Sequence, residues 1–123
     1  MKQVIKTETK NVSVKGRQIP VTVTVTVENE FDAPDFDYGS MEANDRELAR
    51  FENGELLNLL VTVQAKALGE EGRDSLGQVF VRANDMEKDV LQVIEYHSME
   101  KNATDELEKE ITDKFELLTR LLA

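Results

Sequence analysis

The chain reads as an α+β domain, an antiparallel sheet of about four strands in the order β-β-α-β-β-α-α, covered on one face by C-terminal helices. Three observations predict this. Residues 19–27 alternate Ile/Val with Thr without a break, as a half-buried strand does. A second stretch, 57–67, alternates in the same way. The last forty residues instead repeat their apolar positions every three or four residues, the period of an amphipathic helix. With 123 residues there is room for one domain, 1–123, able to bury a core without staples.

Taken in order, Val4, Lys6, Glu8, Lys10, Val12 and Val14 alternate with Ile5, Thr7, Thr9, Asn11 and Ser13. Neither set is strongly apolar, so this first strand belongs at a sheet edge, where its lysines oppose unwanted pairing. Lys15-Gly16 supplies a tight turn. The next strand puts Ile19, Val21, Val23, Val25 and Val27 on one face and Thr22, Thr24 and Thr26 on the other, with Pro20 near its start. Residues 28–43 form an acidic loop with interleaved aromatics. Asn44 and Glu47 have the spacing of a capping box for a short helix that Gly54 stops. After the 57–67 strand, residues 69–77 read as a glycine-containing turn and 78–82 as a fourth strand. Asn84 with Glu87 suggests a second capping box, opening a helix from Asp85 to about His97 with Met86, Val90, Val93 and Ile94 on one face. On propensity alone, Val90 to His97 also fits a strand. A last helix is expected from about Ala103 to Leu122, its stripe formed by Leu107, Ile111, Phe115, Leu118 and Leu122. Between the two, His97, Glu100 and Lys101 make a polar waist that argues for a break.

Composition excludes several kinds of chemistry. There are no cysteines, hence no disulfide, thiolate nucleophile or cysteine metal site. No run reaches the roughly 20 apolar residues that a membrane span requires, and Met1 to Lys6 do not resemble a signal peptide. The expected location is cytoplasmic, in a bacterial host, where the glycosylation patterns at Asn11 and Asn102 have no meaning. His97 is the lone histidine, with Glu100 three residues on, too sparse a pair for a metal or a catalytic site. Ser13, Ser40, Ser75 and Ser98 share no nucleophile motif. Gly69, Gly72 and Gly77 lack the Gly-Lys-Ser/Thr of a phosphate loop. Asp32, Asp35 and Asp37 with Gly39 do not fit the glycine and glutamate positions of an EF-hand loop in any register. No enzyme and no cofactor are expected.

Charge is the remaining signal. The formal net charge is −10, which opposes direct binding to nucleic acid or anionic membrane and favours basic partners. Its distribution is uneven: residues 1–27 sum to +4, 28–57 to −8, 58–84 to zero and 85–123 to −6. In the last block, Asp105–Lys109, Glu110–Lys114 and Glu116–Arg120 are pairs four apart that support a helix. Glu28, Glu30, Asp32, Asp35, Asp37 and Glu42, by contrast, have no basic residue among them. Lys6, Lys10 and Lys15 could neutralise them within the fold; otherwise the block, with Phe31, Phe36 and Tyr38 as aromatic anchors, suits a basic protein surface, such as that of a nucleic-acid-binding protein.

The segment Val61-Thr-Val-Gln-Ala-Lys, a turn, Asp74-Ser-Leu-Gly77, a short strand and an acid-rich helix resemble small accessory proteins encoded by bacteriophages and prophages, over about residues 55–110. That resemblance implies an acidic inhibitor of a host protein and assigns no site residue. Two other functions stand beside it. Thr22, Thr24 and Thr26 with Leu60, Thr62 and Gln64 offer a flat uncharged sheet face through which a structural protein could form a homodimer. Lys6, Lys10, Lys15 and Arg17 could instead hold a small anionic molecule such as a nucleotide.

Overall fold

The computed structural model describes residues 2–30 and 41–122. Strands β1 (Lys2–Val14), β2 (Arg17–Asn29), β3 (Leu56–Ala67) and β4 (Glu70–Arg82) form one antiparallel sheet in sequential order. Helix α1 (Met41–Glu52) connects β2 to β3, and α2 (Met86–Tyr96) and α3 (Met99–Leu122) follow β4. The β-β-α-β-β-α-α order and the edge position of β1 are as the residue periods predict. No helix among the described residues is long and apolar enough to cross a membrane.

The core is the valine side of the sheet. Val21, Val23 and Val25 of β2 lie beside Val61, Val63 and Ala65 of β3, all buried, with Val79 and Val81 from β4. Buried side chains from α2 (Val90, Ile94) and α3 (Met99, Ala103, Leu107, Ile111) close this face. Each fully buried valine or leucine contributes about 1.5–3 kcal/mol over leaving it in water, which makes this layer the main source of stability.

Both hairpins turn in two residues with positive φ, Lys15-Gly16 (52° and 79°) and Leu68-Gly69 (54° and 77°), the conformation that matches strand twist. The second turn corrects the expected 69–77 turn: β4 already begins at Glu70, and Gly72 and Gly77 lie inside it. Gly72 is there because α3 crosses directly above. A Cβ at this position would overlap the Ala103 carbonyl oxygen and the Leu107 backbone nitrogen.

Two bulges adjust the alternation. In β1 the register shifts at Ile5, which turns that residue toward the core and puts Val4 on the opposite, exposed side, not on the face of Lys6 and Lys10. In β4 the shift falls between Leu76 and Val79, with Gln78 at φ 55°.

Helix boundaries differ from the expected ones. Helix α1 begins at Met41, so Asn44 lies within it rather than at its first residue. Its C-terminus ends as expected on Gly54: the Gly54 N–H donates to the Phe51 carbonyl and the Glu55 N–H to the Arg50 carbonyl, a Schellman pattern with Gly54 at φ 76°. The Asn84–Glu87 capping box is absent. A single 3-10 turn, Ala83–Asp85, precedes α2, and Asp85 makes no side-chain cap. Asp89 fixes this entry instead, accepting hydrogen bonds from the backbone N–H (3.0 Å), Nε (3.0 Å) and Nη2 (2.7 Å) of Arg82. Helices α2 and α3 are separate. Ser98 at φ 53° breaks the path at the polar waist, and α3 starts at Met99 rather than Ala103.

Candidate functional site

The lysines of the first strand decide how the acidic block is to be read. Beyond the Ile5 bulge, Lys6, Glu8 and Lys10 register opposite Val25, Val23 and Val21 and so project to the helix-covered side. There Glu100, in the first turn of α3, sits between two ammonium groups, 3.3 Å from Lys6 Nζ and 3.6 Å from Lys10 Nζ. Lys6 also lies 3.4 Å from Glu8. Burial works against the Lys6 charge, but pairing with Glu100 and Glu8 outweighs it and its pKa is raised. Lys15 pairs with Glu116 at 3.9 Å. All three lysines are therefore engaged within β1 or with α3.

The acidic block starts at the other end of β2. Glu28, half-buried, registers between Lys2 and Leu60. Glu30 donates its backbone N–H to the Asn58 carbonyl (2.9 Å). Its carboxylate accepts from the Gln78 backbone N–H (3.3 Å) and side-chain amide (2.6 Å), and the Gln78 side-chain oxygen in turn accepts from Asn58 (3.3 Å). Glu30 thus holds the β4 bulge, and Gly77 leaves it space: a Cβ there would come 2.8 Å from the Glu30 carboxylate. From the sequence, Glu30 is expected at a partner contact or beside the N-terminal lysines, not on Gln78. Its bond to Gln78 depends on a bulge that residue alternation does not announce. Phe31, Asp32, Asp35, Phe36, Asp37 and Tyr38 lie outside the described residues, as does the Asp32–Gly39 stretch weighed for calcium. Glu42 falls in the first turn of α1.

The sheet face opposite α2 and α3 carries the threonines. Thr26 registers with Thr62 and Thr24 with Gln64; Thr62 and Ser75 share a hydroxyl hydrogen bond at 3.2 Å, and the Gln64 amide donates to Glu71. Thr22 is exposed, and Thr24, Thr26, Leu60, Thr62 and Gln64 are half-buried. Toward one end Leu56 and Asn58 are buried on β3, against which α1 packs.

His97 closes α2 by donating its backbone N–H to the Val93 carbonyl. Its ring is exposed and meets Tyr96 edge-on at 5.0 Å. Among the described residues no three His, Asp or Glu side chains converge into a group that could hold a metal ion.

A further surface escaped the sequence reading. The α3 stripe is buried through Ile111, but Phe115, Leu118 and Leu122 are exposed and border a groove of about 680 Å³ beside the β1–β2 turn. The signal was visible as a stripe without a change of period; where the sheet would stop beneath it was not. Comparison with protein-family models, curated proteins and solved structures finds no match for the chain.

Proposed function

We propose that this is a non-enzymatic binding protein that presents the acidic block at 28–42 to a basic surface on another protein, in the manner of a phage-type inhibitor of a nucleic-acid-binding host factor. What carries this reading is the engagement of Lys6, Lys10 and Lys15 with Glu8, Glu100 and Glu116. Lys6, Lys10 and Lys15, three bases that could have neutralised the block inside the fold, pair within β1 and with helix α3. Carboxylates at such density repel one another, and a partner rich in Lys and Arg relieves that repulsion. They compete for the same contacts that phosphates make, so DNA should displace the protein. Glu30, bound to Gln78, anchors the start of the block, while Asp32, Asp35 and Asp37 with Phe31, Phe36 and Tyr38 supply the contact.

The test is capture from bacterial lysate by the tagged chain at low and high salt, beside a variant carrying Asp32→Asn, Asp35→Asn and Asp37→Asn. A basic protein retained at low salt, released by DNA and lost by the triple variant supports the reading. A partner that the triple variant retains equally well removes the acidic block from the function.

A further inference from the structure

Met99, Ala103, Leu107 and Ile111 bury one side of α3 against the sheet. The same stripe continues through Phe115, Leu118 and Leu122, which are 36%, 44% and 85% exposed. Leu117 and Leu121, also exposed, widen it. At 3.6 residues per turn these five side chains span roughly 160° of the helix surface, the width of a packing face. The last side chains of α3 tied to the sheet end are Lys114, bonded to the Leu68 carbonyl and Glu70, and Glu116, paired with Lys15. Beyond Glu116 the helix runs on for six residues, about 9 Å.

The groove beside this stripe is lined by Phe115, Leu118 and Leu122 and by the cations Lys15, Arg17 and Arg120. Neither Arg17 nor Arg120 has an ion pair among the described residues. Guanidinium groups beside an apolar floor select an apolar helix face that carries a carboxylate. The end of α3 is such a face, with Glu116 beside Phe115, Leu118 and Leu122.

We infer that this face is the interface of a homodimer in which the C-terminal ends of two α3 helices pack antiparallel. A two-fold axis at Leu118 brings Phe115 of one copy level with Leu121 of the other, and Arg120 level with Glu116. Each residue then serves in both halves, as an isologous interface requires. An anionic membrane is a poor occupant for a chain of net charge −10. This surface is separate from the acidic block and does not depend on its function.

Light scattering coupled to size exclusion tests the inference on the full chain. The expected mass is twice 13.9 kDa. Leu118→Lys, on an exposed helix position, should return the mass to 13.9 kDa with an unchanged circular dichroism spectrum, whereas Thr24→Lys on the threonine face should leave the dimer intact. Since the chain has no cysteine, Leu118→Cys should cross-link two copies under mild oxidation and Tyr96→Cys should not. A wild-type mass of 13.9 kDa up to millimolar concentration, or a dimer that Thr24→Lys dissociates and Leu118→Lys does not, overturns the inference.

Discussion

Lys15-Gly16 and Leu68-Gly69 adopt the same turn, yet the two first positions are filled by residues poorly suited to φ near +50°. For an ordinary L-residue this region costs about 1–2 kcal/mol, and Asn pays least after Gly. Leu68 is the more wasteful choice. Its side chain is 53% exposed, and the contact the turn makes with α3 uses its backbone carbonyl, which accepts from Lys114. Leu68→Asn creates the Asn-Gly pair that such turns favour. We expect it to stabilise the protein by about 0.5–1 kcal/mol, raising the thermal midpoint by about 3 °C. An unchanged or lower midpoint in a circular dichroism melt would show that the leucine side chain contributes more than the turn conformation costs. Residues of this kind were legible in the sequence only where glycine marked them: Gly16 and Gly54 stand at the positions their turn and helix end require, whereas Gln78 and Ser98, also at positive φ, carried no such mark.

At the scale of elements, α3 against β4 is the contact most exposed to a single atom. Gly72 permits the helix backbone to rest on the strand, and Gly72→Ala forces a Cβ into the Ala103 carbonyl and the Leu107 nitrogen, neither of which is a flexible side-chain end. The helix must lift or the strand must shift, and the expected loss is about 3 kcal/mol, the upper range for overpacking. Urea unfolding checks it; a loss below about 1 kcal/mol would mean that α3 moves freely over the sheet. The same contact explains why β4 is longer than its residues predict. A strand containing glycines at 72 and 77 looks like a turn until the helix above one and the Glu30 carboxylate beside the other are in view, and both partners are distant in sequence. Strands β2 and β3 and the faces of α2 and α3 were legible because each follows one period throughout. Helix starts were not, since tertiary bonds such as Arg82 to Asp89 supplied the ends that capping residues were expected to supply. Of the candidate site, the charge imbalance was legible, but the pairing of the lysines with Glu100 and Glu116 was not, because those partners lie on α3, far away in sequence.

For the whole molecule, charge makes the acid limb of the stability curve the informative one. At neutral pH the chain carries −10 and repels itself; toward its pI of about 4.6 that repulsion disappears. Stability should therefore hold or rise from pH 7 to about 4.6, even as solubility reaches its minimum there. Below that, the paired carboxylates govern. Hydrogen bonds from the Arg82 side chain and then its backbone N–H hold the Asp89 carboxyl at about 2. A carboxylate lowered in this way stabilises the fold above its unfolded pKa of about 3.9, and the contribution is lost as pH falls toward the folded value. The window is thus about pH 4 to 2, well below the one in which net charge vanishes, and the two effects separate. Asp89→Asn should be less stable than wild type at pH 6, by about 1 kcal/mol given the half-exposed arginine. The gap should narrow below pH 4 and be mostly gone at pH 2. Urea midpoints for the two proteins at pH 6, 4 and 2 decide the matter. A gap that stays constant across the series would mean that Asp89 acts through packing rather than through its charge, and that the acid limb is set by the density of carboxylates elsewhere in the chain.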